Sequence, residues 1–200
     1  MAKLIFKRFR CDIDTDETGG ESPYFVTWVG NLTEAKSIVK YTRQAFWDNN
    51  VQMGDDKPGP WWPVNQTIVN DFDLSPNKTL VLCLMVEEDN GPDLSKAEAQ
   101  GTQPSTAAAS IQAKMAKAME VHRQAGFQVT DANFISTMRN TLTGEVRKHL
   151  DHPSGDQDDL MEEDNHRAAR QLSITNTAGA LPKLIFKGDT GKYEAEFVVA

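Results

Sequence analysis

Carboxylate side chains are concentrated in three short segments of the chain, and they are the residues best suited to chemistry. Segment 12–21 holds five of them, and segments 87–93 and 151–165 hold further groups. Carboxylates this close repel one another unless they stay in water or share a cation. Calcium prefers oxygen ligands of this kind. The segments therefore predict a shared calcium site or solvated acidic loops, and segment 12–21 alone leaves both open.

Each acidic segment adjoins an apolar segment that is typical of a β-strand. Residues 3–10 and 24–29, rich in Phe, Ile, Val and Trp, flank the first acidic segment. Residues 66–72 predict a further strand. Residues 79–86 are apolar at nearly every position, which predicts a strand in the centre of a sheet. Residues 181–199 predict a closing hairpin around the turn GDTG.

The signals between these strands are weaker. Residues 31–47 fit neither the helix period nor the strand period, which leaves a short helix and a strand with turns as alternatives. Residues 49–65 contain several prolines and glycines and predict a long turn-rich loop. Trp61 and Trp62 are interpreted as anchors of this loop, with an exposed aromatic binding patch as the alternative.

Residues 94–150 have a different composition, rich in Ala, Gln, Lys, Met and Thr. Ser105 or Thr106 can cap a first helix, Gly126 breaks it, and Asp131 can cap a second helix. Mostly apolar residues recur at helical spacing on one face of each helix: Ile111, Met115, Ala118, Met119 and His122, then Phe134, Ile135, Met138, Leu142, Val146 and Leu150. We interpret the pair as an amphipathic α-hairpin packed on the rest of the fold; contact with a membrane or another subunit is the alternative.

Together these patterns predict a mainly β protein. The expected architecture is an antiparallel β-sandwich formed by residues 1–93 and 151–200, with residues 94–150 as a helical insertion. A chain of 200 residues is long enough to bury such a core.

Four segments resemble parts of a known family. The segment DTDETGGESPYFVTW is similar to the first calcium loop of the calcium- and phospholipid-binding domain first described in protein kinase C, the C-two domain. LCLMVEEDNGPD and DQDDLMEE resemble the two parts of that family's third calcium loop, and KLIFKGDTGKYEAEFVV resembles its last two strands. The resemblance implies a β-sandwich that binds calcium at one end, with the helical insertion inside the third loop.

The resemblance also implies which carboxylates bind calcium. In the first loop Asp16 is one ligand, and Asp12 and Asp14 are alternatives for the other. The expected ligands are Asp14, Asp16, Glu88, Asp89, Asp158 and Asp159. The chain departs from the family at Ser22, where the family has Asp, and at Glu87 and Glu88, which replace an expected Asp. It also departs at Met161 and Glu162, where the family has Ile and Gly.

The charge distribution argues against nucleic acid as a partner. The formal charge is −8, and unspecific binding to nucleic acid requires a basic face. The one basic cluster lies near the N-terminus, where strand alternation places Lys3 and Lys7 on one face and Arg8 and Arg10 on the other. We interpret it as a solvated strand edge, with weak contact to an anionic membrane as the alternative.

The remaining reactive side chains are few. Cys11 and Cys83 lie in or beside apolar segments and are predicted to be buried thiols, with a disulfide between them as the alternative. His149, His152 and His166 lie near several aspartates, but Pro153 interrupts the helix that a zinc-binding pair would need. The chain shows no recognisable pattern for covalent catalysis.

The N-terminal sequence has no signal-peptide pattern, and no apolar run is long enough to span a bilayer. This predicts a protein that is cytoplasmic, or exported without a cleaved signal peptide, and not transmembrane. The expected function is that of a non-catalytic calcium-binding module. It would engage a protein partner, its own copies or a membrane surface through the acidic loops or the helical insertion. A structural subunit of a homo-oligomer is the alternative, and a metal-dependent hydrolase is the third reading.

Overall fold

The structure is a computed structural model that describes residues 2–13, 23–43, 58–87, 106–150, 159–162, 168–188 and 191–200. The strands are β1 (Ala2–Ile13), β2 (Tyr24–Asn31), β3 (Lys36–Arg43), β4 (Trp62–Phe72), β5 (Thr79–Glu87), β6 (Asp159–Leu160), β7 (Arg170–Gln171), β8 (Gly179–Ala180), β9 (Leu184–Gly188) and β10 (Gly191–Val199). The helices are α1 (Thr106–Gln124) and α2 (Ala132–Arg147).

The strands form two antiparallel sheets. Sheet A has the order β4-β1-β10-β8, and β9 also pairs with β10. Sheet B has the order β3-β2-β5-β6, and β7 also pairs with β5. The inner faces of the two sheets meet in one core, where Phe6 stacks on Phe197 and meets the edge of Phe25 from the opposite sheet. The predicted antiparallel β-sandwich is confirmed.

Strand β5 is central in sheet B, as its continuous apolar sequence predicts. Val81, Cys83 and Met85 point into the core between the sheets. The alternate residues Leu80, Leu82, Leu84 and Val86 point to the outer face and are equally buried. A strand that is dry on both faces must be apolar at every position, because neither set of side chains meets water.

The α-hairpin covers the outer face of sheet B, so the fold has three layers. All the predicted apolar positions of α2 except the half-buried Ile135 are buried, and Ile111, Met115 and Met119 of α1 pack beside them. Gly126 ends the first helix with a φ of +80°, as predicted. Asp131 occupies the N-cap position of α2, but its carboxylate accepts a hydrogen bond from the backbone of Gln128 at 2.7 Å and none from the helix.

The region left open by the sequence contains the edge strand β3. Three of its outward backbone groups form hydrogen bonds with side-chain amides from other elements. Gln112 of α1 accepts from the Val39 N–H at 2.6 Å and donates to the Ser37 carbonyl at 2.8 Å. Gln66 of β4 donates to the Tyr41 carbonyl at 3.0 Å. Two glutamines thus occupy part of an edge that would otherwise be available for pairing with another strand.

The predicted C-terminal boundary of the loop over residues 49–65 is wrong, because β4 begins at Trp62. Strand β4 lies at the edge of sheet A and has positive φ at Asn65 (53°) and Asp71 (52°). An edge strand tolerates such irregular backbone, together with Pro63, since only one side must pair. Trp62 packs against the core between the sheets, which agrees with its interpretation as an anchor.

Simple alternation also fails in β1. The pairing of β1 shifts register between Phe6 and Arg8 on both of its sides, which marks a β-bulge. Phe6 and Phe9 are both buried, so Arg8 and Arg10 lie on the same outer face as Lys3. The prediction that Lys3 and Arg8 face opposite ways is therefore wrong.

The pentapeptide KLIFK occurs twice, at residues 3–7 and 183–187. The two copies belong to β1 and β9, which both pair antiparallel with β10. In each copy the Leu and the Phe are buried. Similar surroundings on either side of one strand account for the similarity.

Candidate metal site

Three strand ends of sheet B, each next to an acidic segment in the sequence, lie at one end of the sandwich. Tyr24, which follows the first segment, pairs with Val86, which precedes the second. Val86 and Glu87 pair with Leu160 and Asp159, which follow the acidic start of the third. Neighbouring strands lie about 4.8 Å apart, so the three attachment points fall within about 10 Å. We call this end of sheet B the acidic end.

The expected calcium ligands lie mostly outside the described residues. This applies to Asp14, Asp16, Glu88, Asp89 and Asp158. The backbone of Asp159 begins β6 opposite Glu87, and its side chain is outside the described part. The approach of these carboxylates to a common ion therefore stays a prediction, and the strand pairing fixes only where their segments are attached.

Asp12 is the one residue of the first acidic segment whose side chain is described. It is 8% exposed and is bound by two cations, with Arg10 at 2.8 Å and Lys192 at 2.6 Å. Burial alone would raise the pKa of Asp12, but the hydrogen bond from Lys192 and the charge of Arg10 outweigh it and lower the pKa. The oxygens of Asp12 are already neutralised by these cations. Asp14 is therefore the better candidate for the first-loop ligand that the sequence left open.

In sheet A, the end of strand β9 lies beside the acidic end. A Cβ on Gly188 would lie 3.0 Å from both the Met161 Cα and the Glu162 nitrogen, so the end of β9 packs directly on the chain that follows β6. The turn GDTG joins β9 to β10 here and carries Asp189 in the sequence. In the sequence this motif is interpreted only as a turn. Asp189, next to Gly188, is the signal that could have added the motif to the acidic segments.

Two of the residues that depart from the family pattern, Met161 and Glu162, have structural partners. Met161 is 2% exposed and belongs to the core between the sheets. Glu162 forms an ion pair with Arg147 at the end of α2. Glu162 thus links the helical layer to the acidic end and is not a free ligand.

The histidines give no support to a zinc site within the described part of the chain. His149 is exposed, and His152 and His166 lie outside that part. Among the described residues, no group of three or more His, Cys, Asp or Glu side chains is arranged to hold a metal ion.

The basic cluster near the N-terminus lies on the outer face of sheet A, where its two arginines pair with carboxylates. Arg8 binds Glu196 at 2.6 Å and Arg10 binds Glu194 at 3.1 Å, directly across the β1–β10 pair. The ring of Trp61 lies over the guanidinium groups, at 4.4 Å from Arg8 and 4.8 Å from Arg10. Trp61 is therefore held by cation–π contacts.

Both cysteines are buried thiols and neither forms a disulfide, as predicted. Burial raises the pKa of the Cys83 thiol to about 12, although Thr27 donates a hydrogen bond to its sulfur. A neutral thiol in a dry core is neither a nucleophile nor a metal ligand at physiological pH.

Comparisons with family models, with curated proteins and with solved structures found no match for this chain. Within the described residues, neither helix is long and apolar enough to cross a membrane.

Proposed function

We propose that this protein is a non-catalytic calcium-binding module that uses its acidic end to engage a partner. The observation that supports the proposal is the strand pairing of Tyr24, Val86 and Leu160. Segments that are about sixty residues apart in the sequence start from neighbouring strands. Solvated loops need no common attachment point, whereas a shared cation needs ligands from several segments within 2.3 to 2.6 Å of one ion.

The ligands in this proposal are Asp14, Asp16, Glu88, Asp89, Asp158 and Asp159. Calcium takes six to eight oxygens, and carboxylates from three segments can supply them together with backbone carbonyls and water. The sandwich supplies the rigid base, because its two cores hold the strand ends in register. The likeness to the C-two family, carried by the segments SPY and DQDDLM, belongs to the same proposal.

The test is thermal unfolding by calorimetry, with calcium and with a chelator. A ligand that binds only the folded state stabilises it by about 2.7 kcal/mol at 100 times its dissociation constant. We expect a rise in melting temperature that is lost in Asp16→Asn and Asp159→Asn. Asp71→Asn, which changes an exposed carboxylate of β4, is the matched control and should keep the rise.

No shift at millimolar calcium would overturn the calcium proposal. An equal loss of the shift in all three variants would also contradict it, because the effect would then follow net charge and not the acidic end.

A further inference from the structure

A groove lies between helix α2 and strand β7, on the outer face of sheet B. Its volume is about 340 Å³, near the lower end of the range for small-molecule sites. All of its lining residues belong to the described part of the chain: Ala132, Ile135, Ser136, Arg139, Asn140, Thr143, Ala169 and Gln171. We call it the α2–β7 groove.

The spacing along α2 and the pairing of β7 explain why these side chains face one another. Ser136, Asn140 and Thr143 follow at steps of three or four residues, so they lie along one face of the helix. Gln171 pairs with Leu82, whose side chain lies on the outer face of sheet B. Residues that are directly opposite in an antiparallel pair point to the same side. Gln171 therefore points toward α2.

The positive charge of the groove comes from Arg139. Its guanidinium donates a hydrogen bond to the side-chain oxygen of Gln171 at 3.3 Å, which orients it at the junction of the two elements. A guanidinium carries five N–H donors, so one amide acceptor does not saturate it. None of the eight lining residues is acidic, although the chain contains 29 Asp and Glu. The groove therefore favours an anion.

The other lining residues limit the kind of anion. Ser136, Asn140 and Thr143 can both donate and accept hydrogen bonds, as a bound amide requires. Ile135 is half-buried, and together with Ala169 it provides apolar surface for a short aliphatic group. One guanidinium matches the single charge of a carboxylate better than the charge of about −1.5 to −2 on a phosphate group.

We propose that the α2–β7 groove binds a carboxylate that carries a neighbouring amide and a small alkyl side chain. This is the chemistry of an N-acylated amino acid and of the carboxyl terminus of a peptide. The carboxylate accepts hydrogen bonds from Arg139, the amide bonds with Asn140, and the alkyl group packs against Ile135. The site uses none of the proposed calcium ligands and does not require calcium.

The measurement is an NMR chemical-shift titration of the isotope-labelled protein with N-acetyl-L-alanine, in the presence of a chelator. We expect saturable shifts with a dissociation constant of roughly millimolar size, as is ordinary for so small a ligand. N-acetyl-L-alanine amide has no charge and should bind at least about tenfold more weakly, because hydrogen bonds to charged groups are the stronger ones. N-acetyl-trialanine distinguishes the two sources: tighter binding than the single residue identifies a peptide terminus, and equal binding identifies a free acid.

Two variants test the groove in different ways. Arg139→Gln removes the charge, whereas Ser136→Leu fills part of the groove and leaves Arg139 in place. Each should weaken the binding of N-acetyl-L-alanine by at least about tenfold. The matched control is Asn133→Leu, at an exposed position of α2 outside the groove lining, which should bind as the wild type does. Circular dichroism confirms that each variant is folded.

Several results would overturn the groove proposal. One is the absence of saturable shifts at about 20 mM N-acetyl-L-alanine. Others are equal affinity for the neutral amide and an equal loss of binding in Asn133→Leu. Binding of inorganic phosphate through Arg139 with no binding of the carboxylate would identify a phosphate site instead. Calcium calorimetry of Arg139→Gln tests the proposed function separately, since all the proposed calcium ligands are unchanged.

Discussion

The outer faces of the two sheets differ in their chemistry, since one is apolar and buried and the other carries ion pairs. The outer face of sheet B is apolar and lies under the α-hairpin, with Trp28, Leu82 and Leu84 among its fully buried residues. The outer face of sheet A carries the ion pairs of Arg8 and Arg10 beneath Trp61. Apolar burial stabilises by about 25 cal/mol per Å², whereas partly exposed ion pairs contribute about 0 to 1 kcal/mol each. The stability of the protein should therefore depend far more on the face of sheet B.

The largest difference between the faces is expected from truncating one aliphatic side chain on each. Leu142 of α2 is fully buried over sheet B, and Leu142→Ala should lower the free energy of unfolding by about 2 to 5 kcal/mol, because it leaves a cavity. Ile185 on the outer face of sheet A is 42% exposed, and Ile185→Ala should cost less than about 1 kcal/mol. Urea titration measures both. Equal losses would show that the two faces do not differ as described.

A pair of glycine substitutions tests how tightly the face of sheet B is packed. A Cβ on Gly30 would overlap the ring of Trp28, whose indole nitrogen donates to the Ser37 hydroxyl at 2.7 Å. Gly30→Ala should therefore cost about 1 to 3 kcal/mol, since the ring must move and the hydrogen bond is lost. Gly144 in α2 has open space around it, and Gly144→Ala should stabilise by about 0.5 to 1 kcal/mol.

Thermal unfolding of both variants, with tryptophan fluorescence as the probe, distinguishes these effects. A Gly30→Ala protein as stable as the wild type would mean that the layer between sheet B and the helices is loose enough to shift.

The smallest effect is expected from acid on the face of sheet A. The hydrogen bond from Arg8 lowers the pKa of Glu196, and the pKa of Asp12 is lowered as well. Both carboxyls are more acidic in the folded state than in the unfolded state. Their contribution to stability is thus present above the unfolded pKa of about 4 and is lost as the pH falls through the lower folded values.

Urea midpoints between about pH 6 and pH 3 test this sign. Glu196→Gln should lose less stability over this interval than the wild type, because it has no carboxyl to protonate at that position. Asp71→Asn is the control and should follow the wild type. A Glu196→Gln protein with an unchanged pH profile would contradict the contribution of the Arg8 pair.

The parts of the fold that the sequence predicts are those set by repeated local patterns. Strand β5 is apolar on both faces, and α2 repeats an apolar residue every four positions, so burial on given faces follows directly from periodicity. The bulge between Phe6 and Arg8 breaks that periodicity, and no residue type in β1 indicates the bulge. An alternation rule applied across a bulge assigns every later side chain to the wrong face.

The ion pairs and the edge contacts were beyond prediction for a different reason. Arg8 and Glu196 are 188 residues apart, and Gln112 reaches Ser37 over 75 residues. Pairings of this kind depend on which strands become neighbours, and local patterns in one sequence do not reveal that. For the candidate site, the acidic segments can be recognised in the sequence. Only the pairing of β2, β5 and β6 shows that the strands next to these segments are neighbours.

The repeated pentapeptide has a consequence for folding. The two identical segments pair with opposite ends of one strand, β10, the N-terminal copy with Phe197–Val199 and the second copy with Lys192–Ala195. Either could in principle take the place of the other. The copy in β9 is joined to β10 by a two-residue connection, whereas β1 begins at the opposite end of the chain. A short loop closes with a much smaller loss of entropy and in microseconds, so the hairpin forms first and occupies one edge of β10. The N-terminal copy then finds only the other edge free, and chain connectivity resolves an ambiguity that the side chains alone would leave.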